Sequence, residues 1–167
     1  MKKSKLDLTF AIIFVVLALL LNSYIIYHSC LSGEESGAVS RGVTKILENI
    51  INGIRPGTIT ETNYEAFVLF VRKGLGHFGA FFLSGLLTSS AVYFCLKDWI
   101  WYKNYLTILI SFGGGMILAS VTEIIQLNVA GRSGELLDVL LDLSGYALGM
   151  IIILVPLFIF LKRSSLK

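Results

Sequence analysis

The chain has 167 residues, 55% of them hydrophobic and 15% charged, with a net charge of +3. That apolar share exceeds the roughly 45–50% usual for soluble domains, and its gathering into long runs excludes an ordinary soluble fold and points to a bilayer. The basic residues sit at the chain ends and in one short loop without aromatic stacking positions beside them, which excludes a nucleic-acid surface.

The first element is an apolar run over 8–27, preceded by Lys2, Lys3 and Lys5. At about 20 residues it is longer than the 7–15 of a signal-peptide core, so it is expected to be a retained membrane span. The loop that follows has a helical stripe: Val39, Val43, Ile46, Leu47, Ile50, Ile51 and Ile54, with Arg41, Thr44, Lys45, Glu48 and Asn52 on other faces. Arg55-Pro56-Gly57 ends it. This amphipathic helix is either an anchor on the membrane surface or a lid over a site. Thr62-x-x-Glu65 has the pattern of a capping box, so residues 64–72 are expected as a juxtamembrane turn, with a bend allowed at Gly74 and Gly76. Three further apolar blocks follow at about 74–96, 105–128 and 138–161. Each is close to the ~20 residues that cross the hydrocarbon, and helices alone can satisfy their own backbone there.

The expected architecture is therefore all-α: a membrane four-helix bundle, a single domain over 1–167, with an extracellular amphipathic helix between the first and second spans. Lys2, Lys3, Lys5, Lys97, Lys103, Lys162, Arg163 and Lys167 fall at one set of ends, against Asp7 and Asp98. The positive-inside rule puts those ends, and both termini, in the cytoplasm of a plasma-membrane protein, with Trp99, Trp101, Tyr102 and Tyr105 as an inner aromatic belt. The loops at 28–73 and 129–137 then lie outside. Cys30 and Cys95 fall on opposite sides, so no disulfide joins them, and neither has CxxC spacing.

Ionisable residues inside spans are costly and mark function by default. Lys73 and His77 are four apart and share a helix face; Glu123 and Gln126 are three apart; Asp138 and Asp142 are four apart; Arg132 lies in the short loop between the last two spans. The topology brings all seven to one layer near the outer face. Lys73 and Arg132 suit a phosphate or carboxylate, and the carboxylates can orient or tune His77 as a general base. His77, Glu123 and Asp142 are thus the catalytic candidates, with Lys73, Gln126, Arg132 and Asp138 for binding. The blander alternatives are a satisfied polar helix contact for His77 and helix-terminus complementation for Asp138. Glu135 is expected to be solvated and His28 interfacial. No HxxxH or HExxH spacing occurs, so no metal and no cofactor are expected. Gly145 and Gly149 form a small-xxx-small pair, and Gly113, Gly114 and Gly115 suggest close packing in the third span.

The ordered stretches Arg72-Lys73-Gly-Leu-Gly-His77-Phe78, Thr122-Glu123-Ile-Ile-Gln126, Arg132, and Leu137-Asp138-Val-Leu-Leu-Asp142-Leu-Ser-Gly145-Tyr-Ala-Leu-Gly149 resemble the VanZ-like family of membrane proteins. They cover roughly 72–152, with the family core expected over 64–161. The chain departs from the family pattern in having Phe81 or Phe82 where a tyrosine is common, and Asp142 where asparagine is common. The resemblance implies work at the cell envelope, with a link to teicoplanin-type glycopeptide resistance. Two functions follow as expectations. One is binding of a lipid-linked cell-wall precursor or a lipoglycopeptide in an outer polar pocket. The other is an enzyme acting on a lipid or polyprenyl-phosphate carrier through a His/carboxylate pair. Transport is disfavoured, because the charged layer lies near one surface and no internal repeat is present.

Overall fold

The computed structural model describes residues 5–96 and 103–164. Among them all regular structure is helical: α1 (Lys5–Ser29), α2 (Gly33–Ile54), α3 (Tyr64–Phe70), α4 (Ala80–Leu96), α5 (Lys103–Leu127) and α6 (Leu136–Ser164), with a π-helical segment, Val71–Gly79, joining α3 to α4. Four stretches are long and apolar enough to cross a membrane: Lys5–Ser29, Tyr64–Leu96, Asn104–Leu127 and Leu136–Ile159. Lys2, Lys3, Lys97, Asp98, Trp99, Trp101, Tyr102 and Lys167, on which orientation and the aromatic belt largely rest, lie outside the described residues, as do the side chains of Lys103, Lys162 and Arg163.

The second span differs from expectation. No turn separates 64–72 from the rest; α3, the π-helical segment and α4 run on as one span-length helix. The expected capping box at Thr62 and Glu65 does not form. Asn63 occupies the N-cap without a side-chain cap bond. Its side chain instead serves the preceding turn, accepting from the Thr60 N–H at 2.8 Å and donating to the Thr58 carbonyl at 3.0 Å. The glycines at 74, 76 and 79 coincide with the π winding rather than with a break. Such i→i+5 segments recur at functional sites.

A capping box does form one helix earlier. Ser32 Oγ accepts from the Glu35 N–H at 3.2 Å, and Glu35 Oε2 accepts from the Ser32 N–H at 2.9 Å, so α2 begins at Gly33 rather than at residue 39. The Ser32 N–H and hydroxyl hold the Glu35 carboxyl below the usual carboxylate range. The face that α2 buries carries small hydroxyl residues. Ser36 and Thr44 are buried, while Ile46, Ile50 and Ile54 are exposed. Ser40 and Thr44 donate back to the carbonyls four residues earlier, at 3.1 and 2.8 Å, and so meet their own hydrogen-bonding needs. The small residues permit close approach to the bundle, and the isoleucine stripe is left for lipid.

α6 packs most extensively on α4. A Cβ on Gly145 would lie 2.3 Å from the Phe78 carbonyl oxygen, one on Gly149 2.1 Å from that of Phe82, and one on Gly85 2.1 Å from that of Tyr146. The backbone of α6 is thus in direct contact with those of α4 and the π-helical segment, with Ile25, Phe81, Ala119 and Tyr146 forming the core around them. In the third span only Gly115 serves packing, against the Tyr146 ring; Gly113 and Gly114 face open space. A polar clamp that sequence reading missed ties α1 to α4. Ser84 Oγ donates to Asn22 Oδ1 at 2.6 Å, and Asn22 Nδ2 donates to Thr88 Oγ1 at 3.3 Å. Cys30 and Cys95 form no disulfide and lie at opposite ends of the bundle, since α1 runs antiparallel to α4, with Asn22 beside Ser84 and Phe10 beside Phe94.

Candidate functional site

The structure brings the seven polar side chains together at the end of the bundle that carries the α5–α6 loop. The π-helical segment presents Lys73 and His77, the last turns of α5 present Glu123 and Gln126, and the first two turns of α6 present Asp138 and Asp142. Lys73 Nζ donates to Asp138 Oδ1 and lies 3.5 Å from Glu135 Oε2. His77 Nδ1 is 3.1 Å from Asp142 Oδ1, and its Nε2 is 3.8 Å from Asp138 Oδ2. Gln126 Nε2 donates to Glu123 Oε1 at 3.1 Å, while Glu123 Oε2 accepts from the Glu135 N–H at 3.0 Å. The Glu135 side chain is half exposed, as expected of a solvated residue, but its backbone holds a site carboxylate in place.

Burial makes these contacts consequential. His77, Glu123, Gln126, Asp138 and Asp142 are all buried. A carboxylate in such surroundings is tolerable only when paired or hydrogen-bonded. Asp138 meets this through Lys73 and through the positive N-terminal end of α6. Asp142 meets it only in part: one oxygen reaches His77, and the other, Oδ2, has no partner.

Beside this layer lies a cavity of about 220 Å³, with His77, Asp142, Gln126 and Arg132 in its wall. Arg72, His28 and α2 residues such as Val39 and Val43 also line it; the sequence reading gave Arg72 and His28 no place in the site and left the α2 helix as either a lid or an anchor. Arg72 was legible only as part of a motif, and His28 only as an interfacial residue. Arg132 anchors the corner, donating from Nη1 to the His28 carbonyl at 3.0 Å and to the Leu31 carbonyl at 3.5 Å. Burial, followed by the positive charge of Arg72, pushes its pKa below the ordinary guanidinium value, yet guanidinium groups stay cationic in proteins. The Nε atoms of Arg72 and Arg132 are buried without an acceptor. Two neighbouring cations with unused donors call for an anion.

The arrangement is therefore suited to hold an anionic group beside the arginines and to move a proton through the His77–Asp142 pair. Ser84 is committed to Asn22, and Ser144 donates to the Leu141 carbonyl at 2.6 Å, so neither is poised as a nucleophile.

Compared with known proteins, the chain matches the family model described as VanZ/LLP1 over residues 14–160. The match reaches beyond the expected core of 64–161 to include most of α1 and all of α2. No curated protein and no solved structure matches the chain.

Proposed function

The chain belongs to the VanZ/LLP1 family, and on that footing we propose that it binds the phosphate-bearing headgroup of a membrane lipid, of the kind that carries cell-wall precursors. The observation that carries this is the pairing, in one cavity, of Arg72 and Arg132 with their unused Nε donors and an apolar wall. The phosphate sits between the guanidinium groups, and the first carbons of the lipid tail run along Val39, Val43 and Leu75. Leu75 and Tyr24 line the cavity and are more than half exposed, so the mouth is apolar and suits entry from the bilayer. Pockets that enclose drug-sized ligands run to roughly 300–1,000 Å³. A cavity of about 220 Å³ therefore favours a headgroup over a whole lipoglycopeptide.

The test is retention of lipid phosphate. In native mass spectrometry of detergent-purified protein, a prenyl phosphate should remain bound to the unaltered chain. Arg72→Gln with Arg132→Gln should lower its affinity at least tenfold, because each charged hydrogen bond contributes about 1.5–3 kcal/mol. Equal retention by both proteins would end the proposal. In cells, we propose that this binding contributes to survival under teicoplanin-type antibiotics. A deletion strain should then be more susceptible, and the double variant should fail to restore it.

The proposal puts the site at the outer face of the plasma membrane, with both termini cytoplasmic. In a background with Cys30 and Cys95 replaced by serine, Thr60→Cys and Ser133→Cys should react with an impermeant thiol reagent in intact cells. Reaction only after permeabilisation would invert the orientation.

A second reading is supported by the 3.1 Å contact between His77 and Asp142 on the cavity wall. In it, the pair acts as acid and base on the bound phosphate. Release of inorganic phosphate from a prenyl diphosphate, lost in His77→Ala, would favour this enzyme over a binder.

A further inference from the structure

We propose that His77, Glu123 and Asp142 form a binding site for one divalent metal ion of the zinc class. This does not depend on the lipid reading, since it concerns atoms that face one another whether or not a lipid is present.

One donor atom from each residue lies within 4.8 Å of the other two, and all three residues are buried. Three separate helices supply them, so no short sequence spacing could have announced the site, and the expectation of no metal rested on spacing alone. The charge pattern points the same way. The nearby lysine is taken, since Lys73 pairs with Asp138 and Glu135. No salt bridge is formed by Glu123 among the described residues, and Asp142 has only His77. Two buried carboxylates and an imidazole facing one another make a donor set whose burial a divalent ion would offset.

An independent observation strengthens this. Asp142 is 1% exposed, yet its Oδ2 has no hydrogen-bond partner. A carboxylate oxygen in that position lacks a cation or a donor, and the nearest ring nitrogen already faces the other oxygen. The outer contacts are those expected around a metal ligand. Gln126 and the Glu135 N–H each fix one oxygen of Glu123, which sets the orientation of the carboxylate.

Imidazole with carboxylates suits zinc better than magnesium or calcium, which favour all-oxygen shells. Zinc binds these donors at about 2.0–2.2 Å, which puts tetrahedral ligands roughly 3.4 Å apart. The widest pair must therefore draw in by up to about 1.4 Å on binding. His77 and Asp142 both line the cavity, so the open fourth position faces it. A water or an anionic oxygen there would complete the shell.

The full-length protein, purified in detergent and stripped with chelator, is dialysed against zinc and assayed for bound metal. The expected result is about one zinc per chain, with X-ray absorption showing only nitrogen and oxygen neighbours at about 2.0–2.2 Å. Glu123→Gln and Asp142→Asn should each weaken binding at least tenfold, and Gln126→Leu should weaken it by about 10–100-fold, as loss of an outer contact does. Glu48→Gln, remote from the trio, should bind as the unaltered chain does. Absence of stoichiometric zinc, a sulfur shell implicating Cys30 or Cys95, or undiminished binding in the Glu123 and Asp142 variants would overturn the site. Should those variants fail to fold, the unaltered protein still decides. Zinc must then raise its melting temperature, and the absorption spectrum must lack sulfur; failure of either overturns the proposal.

Discussion

Gly145→Leu is expected to abolish the folded bundle, the largest effect of any single substitution considered. The reason is geometric. A Cβ at position 145 falls 2.3 Å from the Phe78 carbonyl oxygen and 3.2 Å from the Phe78 Cα, so the obstacle is backbone and cannot rotate away. Relief requires α6 to move off the π-helical segment, and that contact positions Asp142 against His77. Ordinary overpacking costs about 1–3 kcal/mol when side chains can give; a backbone clash on a packed helix pair lies at or beyond the top of that range. The variant should be recovered from the membrane in low yield and without a monodisperse peak in size-exclusion chromatography. Gly114→Leu, which meets nothing within 4 Å, serves as the matched control and should behave normally. A well-behaved Gly145→Leu protein would show that the two helices are further apart than described.

The second large effect is an asymmetry between partners. Lys73→Met is expected to destabilise the bundle by about 3–5 kcal/mol, the cost of stranding a buried charge. Asp138 has a side chain only 6% exposed, so once Lys73 is gone it retains only the positive end of α6 and a His77 nitrogen 3.8 Å away. Asp138→Asn should cost markedly less, because Lys73 is 32% exposed and keeps Glu135 at 3.5 Å. Lys73→Met combined with Asp138→Leu should recover much of the loss, since an apolar pair of similar volume leaves no charge uncompensated. Denaturation in SDS–detergent mixtures checks the order of stabilities. Equal costs for the two single variants would mean that Asp138 is better solvated than its burial implies.

Much of the architecture was legible because bilayer physics is severe. Apolar runs of about 20 residues have few alternatives to a spanning helix, and polar residues within them are few enough to be weighed one at a time. Lys73 with His77, and Asp138 with Asp142, could be paired from helical spacing, because each pair lies on a single helix. What was not legible depends on contacts between helices. Asn22 looks like one polar residue in an apolar run until Ser84 and Thr88 are opposite it. Arg72 adjoins Lys73 in sequence, yet only the folded chain sets it beside Arg132 at the cavity. Local signals also misled where two residues compete for one role. Thr62 and Glu65 have the right spacing for a cap, but the Asn63 side chain is engaged by its own turn. In α2 the apolar stripe left anchor and lid open, and it could not show that the small hydroxyl residues Ser36 and Thr44 are the ones that approach the bundle while the isoleucines remain outside.

The corner between α1 and α2 is closed by groups about a hundred positions further along: Arg132 reaches the carbonyls of His28 and Leu31, and the Gly33 N–H meets the Ala130 carbonyl at 2.9 Å. Arg132 and Asp142, which help to wall the cavity, also come from the last third of the chain. During synthesis, which proceeds from the N-terminus, the first helix and its amphipathic neighbour must therefore wait in the membrane, unlatched, until the final hairpin is inserted. A nascent chain halted before residue 130 lacks both Arg132 and Asp142 from the wall of the cavity, however well its earlier helices are formed.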